Sequence, residues 1–289
     1  MKIRTRGTIA VLAMLAISTF AQNIEGLHSF RFRECEIICI QDTAARMPQS
    51  LFTDTQSTGQ LPAEDSYEAS VNVFLLRKGG KTMLVDAGND PSRGSLQAKL
   101  QQAGIRPEDI SDIFITHLHP DHVGGLLWKG KALFPNATLH IAKEELEAWK
   151  QDDGRRGLAK YLSPYEQRTH TFEYGTELPA GLLPLKRGGH TPGHTIFRMT
   201  LADGTQTVFV GDIAHAVALQ FPHPTFCARF DAAPKEAVAS RLQTLQMEGI
   251  LFGAHFPFPG AAQGGAILSN APRWSFDYRK YPSLDPGSK

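Results

Sequence analysis

Between Ile113 and Gly125 the chain reads Ile-Phe-Ile-Thr-His-Leu-His-Pro-Asp-His-Val-Gly-Gly, so His117, His119, Asp121 and His122 fall within six positions. Imidazole and carboxylate groups are the usual ligands of borderline and harder divalent ions. A lone histidine is more often a hydrogen-bonded polar residue; so dense a set after an apolar run points to metal binding. The run itself, β-branched and aromatic, predicts a buried strand. If the chain stays extended through Leu118, the period of two puts His117 and His119 on one face. Pro120 suits the first position of a helix, which would carry Asp121 and His122 near its start. Two imidazoles from a strand end, and a carboxylate plus an imidazole from a helix start, can serve two adjacent metals.

The elements that would position such a site follow from the same patterns. Val71 to Leu76 and Thr82 to Asp86 read as a hairpin around Gly79-Gly80. Asp86 closes the second strand, either as a turn carboxylate or as a partner for a metal-bound histidine. Leu96, Leu100 and Ala103 form a helical stripe that Gly104 ends, Thr138 to Ile141 a strand, and Lys143 to Lys150 a helix. Leu182 to Leu185 leads into Gly188-Gly189-His190-Thr191-Pro192-Gly193-His194. A second hairpin, Ile196 to Thr200 and Thr207 to Val210, ends at Gly211-Asp212. A helix starting near Pro234 carries Val238, Leu242 and Leu245 on one face; Ile250-Leu251-Phe252 then runs into Gly253-Ala254-His255. Polar residues gathered past several strand ends are how α/β folds build sites. The polar stretch 151–175 reads either as a lid or as a surface excursion.

Composition narrows the class. Lys2, Arg4 and Arg6 precede an apolar run from Thr8 to Phe20, the pattern of a secretory signal peptide over residues 1–21; an uncleaved anchor is the alternative. Without that segment, Lys plus Arg falls from 30 to 27 against 29 Asp plus Glu, and the formal charge moves from +1 to −2. Such a chain has no basic excess for a polyanion, so no nucleic-acid partner is expected, and no membrane partner after cleavage. Export, to the periplasm in a Gram-negative source, is the expected localisation. The 42% hydrophobic content suits one large core, read as a single α/β domain over 22–289. Cys35, Cys39 and Cys227 are an odd set; the first two lie on one strand about 13 Å apart and cannot pair there. Free or buried thiols are expected.

His117-x-His119-x-Asp121-His122, Gly189 to His194, Gly211-Asp212 and His255, in that order, resemble the metallo-β-lactamase superfamily in its dinuclear hydrolase branch. A closer similarity, to exported methyl parathion hydrolase-like enzymes and N-acyl homoserine lactonases, rests on Ser70-Val71-Asn72, Leu84 to Gly88, Gly211 to His215, Gln220-Phe221 and Gly253 to Gly260. The resemblance implies an αββα sandwich with the metals at one edge. It assigns His117, His119 and His190 to one metal, Asp121, His122 and His255 to the other, and Asp212 as the bridge. His194 is left to support the ligands, and His28, His140, His170 and His223 match no motif position.

Five imidazoles and two carboxylates suit Zn²⁺ first, with Mn²⁺, Co²⁺ or Fe²⁺ also compatible. Two such ions can share a hydroxide and polarise an acyl oxygen. The resemblance therefore implies hydrolysis of a lactone, activated ester or phosphotriester, with Asp121 also passing a proton to the leaving alkoxide, and dimers are frequent among the relatives. His215, where many lactonases carry a tyrosine, reads either as a hydrogen-bond donor to the substrate or as pocket wall. Persulfide dioxygenases with one iron and glyoxalase II-type thiolesterases share much of the pattern and stand as the alternatives. Flavodiiron oxidoreductases, true β-lactamases and a metal-free binding protein fit less well.

Overall fold

The computed structural model describes residues 24–56, 64–151 and 159–265. A seven-stranded sheet has the order β1 (Leu27–Arg31), β2 (Cys35–Pro48), β4 (Ser66–Lys78), β5 (Lys81–Val85), β6 (Ile110–Ile115), β9 (Thr138–Ala142) and β10 (Thr169–Phe172). A five-stranded sheet runs β11 (Leu183–Lys186), β12 (Thr195–Thr200), β13 (Gln206–Gly211), β15 (Gly249–Gly253) and β16 (Ala261–Gly264). Two small ribbons pair β3 (Phe52–Asp54) with β14 (Phe226–Ala228) and β7 (Leu127–Trp128) with β8 (Lys131–Ala132). The helices are α1 (Leu96–Gln102), α2 (Pro120–Val123), α3 (Lys143–Gln151), α4 (Ala159–Leu162), α5 (Val217–Gln220) and α6 (Pro234–Leu245).

Three apolar layers hold these elements together. The two sheets face each other through Phe74, Met83 and Phe114 on one side and Phe197, Phe209 and Phe252 on the other. Alternate residues of the first sheet, among them Leu75, Leu84, Ile113 and Leu139, point outward against Leu96 and Leu100 of α1 and against Tyr161 of α4. The second sheet turns Val208, Val210 and Leu251 towards Leu245 of α6 and Val217 of α5. Both faces of each sheet are therefore dry, which is why these strands read as continuous apolar runs. Each such side chain contributes roughly 1.5–3 kcal/mol on burial. The result is the αββα sandwich.

Strand directions decide where polar residues collect. β5 pairs in parallel with β6, and β13 in parallel with β15. Residues just past the ends of these four strands (Asp86, His117, Asp212 and His255) therefore emerge together.

Two expectations change. The extended chain does not continue to Leu118, because β6 stops at Ile115. Pro120 does open a helix, of only four residues. The stretch 151–175 is not a long loop: its described part forms α4, a 3-10 turn and β10, which extends the first sheet in parallel beside β9. Residues 152–158 lie outside the described residues, as does the expected signal segment 1–21. Cys35, Cys39 and Cys227 are buried and free, and no helix among the described residues is long and apolar enough to cross a membrane.

Candidate metal centre

Two loops and two strand ends bring the ligand-type groups together. His117 and His119 leave β6 on a short loop, and His119 itself is extended, at φ −76° and ψ 154°. Its Nδ1 lies 2.9 Å from His117 Nε2. His190, on the loop between β11 and β12, places Nε2 2.9 Å from His119 Nδ1 and 3.2 Å from His117 Nε2. Asp212 follows β13 with Oδ2 3.1 Å from His190 Nε2 and 3.6 Å from His117 Nε2. These four side chains form one group whose ligand atoms all lie within 4.8 Å of one another. Asp121, His122 and His255 form a second group on the same criterion, and Asp212, His215 and His255 a third. Asp212 Oδ1 lies 3.1 Å from His122 Nε2, and Asp212 Oδ2 lies 3.1 Å from His255 Nε2. Oδ2 thus lies among His117, His190 and His255 while Oδ1 faces His122, so one carboxylate reaches both groups.

The tautomers follow from the outer partners. His122 Nδ1–H donates to Asp86 Oδ2 at 2.8 Å, and His190 Nδ1–H donates to Asp231 Oδ1 at 2.8 Å. His255 Nδ1–H donates to the Ser70 carbonyl at 2.8 Å. Thr116 Oγ1 gives its proton to Asp86 Oδ2, so at His117 Nδ1, 3.0 Å away, it accepts. Each of these rings then presents a bare Nε2 lone pair inward. Lone pairs 3 Å apart repel unless a cation lies between them. His122 Nε2 and Asp212 Oδ1 are also buried without a hydrogen-bond partner. The donor set fits divalent ions.

Electrostatics agree with that reading. Burial pushes the His117 imidazole well below its ordinary value and takes His119 down to about 3. Burial also opposes charge on His190, but Asp212 and then Asp231 outweigh it and lift the ring to about 9. Burial resists the charged form of Asp212 too, yet the histidines around it, His122 and His255 foremost, hold its carboxyl well below the usual range. His122 and His255 are likewise raised against burial by Asp212. The carboxylate thus stays anionic and draws positive charge to the nitrogens around it, while His117 and His119 stay neutral; such a site suits a cation.

The surrounding sequence explains the local shape. Asp86 sits at φ +61°, a region that residues with a Cβ rarely adopt. Its carboxylate accepts from Thr116 N and Thr116 Oγ1, both at 2.8 Å, as well as from His122. The carboxylate therefore orients a site histidine, the second of its two expected roles. A Cβ on Gly125 would collide with the Ala87 carbonyl, so this glycine lets α2 press against the Asp86 turn. Asn72 Nδ2 donates to the carbonyls of Gly253 (3.1 Å) and Phe256 (2.8 Å), fixing the loop that carries His255. Gln220 Oε1 accepts from the backbone N–H of His215 at 2.7 Å and of Ala216 at 3.0 Å.

His194 takes no part in the nitrogen cluster. Its Nε2 accepts the Asp212 backbone N–H at 3.0 Å and its Nδ1 donates to the Arg187 carbonyl at 3.1 Å, while burial lowers it to about 3. His215 divides its two ring nitrogens between the cluster and an open partner position. Its Nε2 lies 3.1 Å from Asp212 Oδ2, and its buried Nδ1 has no partner. Away from the centre, His140 in β9 bonds Asp112 Oδ1 at 2.9 Å and stacks on Phe114, which makes it a core histidine.

Asp231 and Glu145 are the functional residues that sequence reasoning missed. Asp231 lies 41 positions from the histidine it orients. Glu145 stands among three glutamates of a short helix, with nothing local to single it out.

Comparison with known proteins places the family and the fold. The chain belongs to the metallo-beta-lactamase superfamily, whose sequence model matches residues 67–253. Metallo-beta-lactamase domain-containing protein 1 of Xenopus laevis is 42% identical over 136 residues, covering 45% of this chain and 47% of that protein. Ribonuclease TTHA0252 of Thermus thermophilus is 28% identical over 179 residues, covering 57% of this chain and 40% of that protein. This chain thus spans less than half the length of both. Among solved structures, the hydrolase AbOPH of the beta lactamase superfamily superposes with a TM-score of 0.74 at 27% identity, over 83% of this chain and 94% of that one. AidC, a dizinc quorum-quenching lactonase crystallised with the product N-hexnoyl-L-homoserine, gives 0.71 at 25%, over 82% and 93%.

Proposed function

We propose that this protein is a dinuclear metal-dependent hydrolase of small lactones, activated esters or phosphotriesters. The observation that carries the reading is Asp212, whose Oδ2 lies among His117, His190 and His255 and whose Oδ1 faces His122, so that its carboxylate touches both groups. A carboxylate so placed would bridge one ion held by His117, His119 and His190 and another held by Asp121, His122 and His255. Zinc is the first choice, with manganese, cobalt or iron compatible with the same donors. When bound, such ions generate a nucleophile from water at neutral pH and polarise the acyl or phosphoryl oxygen. The chain's own residues do the rest. Asp86, Asp231 and the Ser70 carbonyl keep three imidazoles in one tautomer. Asp121, whose side chain is 32% exposed and held as a carboxylate, would take a proton from the attacking water and pass it to the departing oxygen. Phe230, 40% exposed with its ring 4.7 Å from His215, offers an apolar face beside the centre.

The likeness to AbOPH and AidC over more than four fifths of the chain supports a small-molecule substrate. The ribonuclease match covers 57% of the chain, and the near-neutral charge supplies no surface for a polyanion. Export and a homodimeric state complete the proposal, the first resting on the Lys2-to-Ala21 pattern and the second on resemblance alone. The deciding experiment assays metal-loaded protein against acyl homoserine lactones, aryl esters, methyl parathion, a glutathione thioester and a short RNA, with metal content measured in parallel. Two metals with lactone, ester or phosphotriester turnover are expected. One iron with oxygen uptake on a persulfide, or turnover of only the thioester or the RNA, would overturn the reading.

A further inference from the structure

We propose that Glu145 is a positioning residue for one of the two metals only, the one assigned to His117, His119 and His190. Glu145 lies in the first turn of α3 and is 1% exposed. Its Oε1 accepts the backbone N–H of Leu118 at 2.9 Å and the Trp149 indole N–H at 2.5 Å. Its Oε2 accepts the Thr191 hydroxyl at 2.8 Å and the Gly193 N–H at 2.9 Å. Leu118 stands between His117 and His119, and Thr191 follows His190. One carboxylate therefore ties together the two loops that deliver all three imidazoles of a single group. Gly193 completes the joint, since a Cβ there would collide with the Glu145 backbone.

The other group is held by different means. His122 rests on Asp86 and His255 on the Ser70 carbonyl, and neither contact involves Glu145. The distance between the two loops, and hence the spacing of three ligands, is set by a carboxylate that touches neither His122 nor His255, although Asp86 meets both sides through His122 and Thr116.

Four donors on two oxygens demand a carboxylate. Glutamine would replace one acceptor oxygen with an amino group and set it against two donors, leaving them unpaired in a dry site. Glu145→Gln should therefore weaken the first metal by about 10–100-fold, the range for partners that orient ligands, and leave the second unchanged. Thr191→Val removes a single donor at constant shape and guards against misfolding of the first variant; about tenfold is expected of it. In the double variant the two effects should fall short of their sum, because Thr191 acts through Glu145.

The readout is zinc per chain during titration with a chelator. His119→Ala and His255→Ala identify which step belongs to which metal. Selective loss of the His119 step supports the proposal. Equal weakening of both steps, as general softening of the fold would give, overturns it, and so does weakening of neither. The proposal rests on the two-metal reading, and the test separates them: unmodified protein that binds fewer than two ions sinks that reading, whereas substrate specificity does not enter.

Discussion

The two halves of the metal centre are built differently. The half formed by His117, His119 and His190 is all imidazole and draws on loops from both sheets. His117 and His190 are buried, and His119 packs edge-on against Trp149 with ring centroids 5.7 Å apart. The half formed by Asp121, His122 and His255 contains a carboxylate that stays a third exposed. A closed nitrogen cage suits holding a cation; an open carboxylate suits meeting the substrate and moving its proton. Asp212 touches both directly and should couple them most strongly; Asp86, which holds His122 and reaches His117 through Thr116, is the weaker link.

That coupling predicts the largest effect. Asp212→Asn keeps the volume and removes the shared negative charge, so at least one metal per chain should be lost. Activity should fall about 10³-fold or more, since metal ions supply several kcal/mol of transition-state stabilisation. Elemental analysis with kcat/KM measures both. Full activity at two metals per chain would remove Asp212 as the bridge.

Next comes a test within the closed half. His190→Ala should empty its metal position, whereas His194→Ala, which strips the acceptor for the Asp212 N–H and the donor to the Arg187 carbonyl, should cost about 10–100-fold in affinity or activity. Metal content of the two variants decides between them, and the reverse order would show that the wrong histidine of the pair was assigned.

The open half is probed by Asp121→Asn. For a lactone, whose alkoxide must be protonated, kcat should drop about 10²-fold. An aryl phosphotriester with a good leaving group should lose less. Equal losses on both substrates would make Asp121 a ligand and nothing more.

The smallest effect belongs to His215, whose Nε2 faces Asp212 instead of the opening. His215→Phe should keep both metals and lower kcat about tenfold, as expected of a group that orients a ligand. A loss near 10³-fold confined to lactones would restore its role as a donor to the substrate.

Much of this was legible from residue types. The strand-to-helix turn at His117–His122 showed because four ligand-type residues share one local element, and local geometry follows from local sequence. Gln220 and Asn72 showed only as a likeness to a family; their use, anchoring His215 and the His255 loop, needed the fold. Asp231 and Glu145 left no mark. A carboxylate in a polar stretch looks the same whether it meets water or, 41 or 46 positions away, a histidine or a threonine.

The sequence by itself determined the strands, the turns and the dense cluster of metal-type residues at His117–His122, because period, apolar runs and glycines at tight turns are local constraints; the sandwich and the full ligand set came as what the family resemblance implies. Only the tertiary structure decided how the ligands are held. Parallel pairing of β5 with β6 and of β13 with β15 sets Asp86, His117, Asp212 and His255 side by side. Burial there makes a missing partner costly, and only His122 Nε2, Asp212 Oδ1 and His215 Nδ1 of the site go without a hydrogen bond. That cost sends His194 to a backbone N–H, His215 to Asp212 and Glu145 to two loops at once. Partner choice in a dry interior depends on which chain segments meet, and spacing along the chain does not record it.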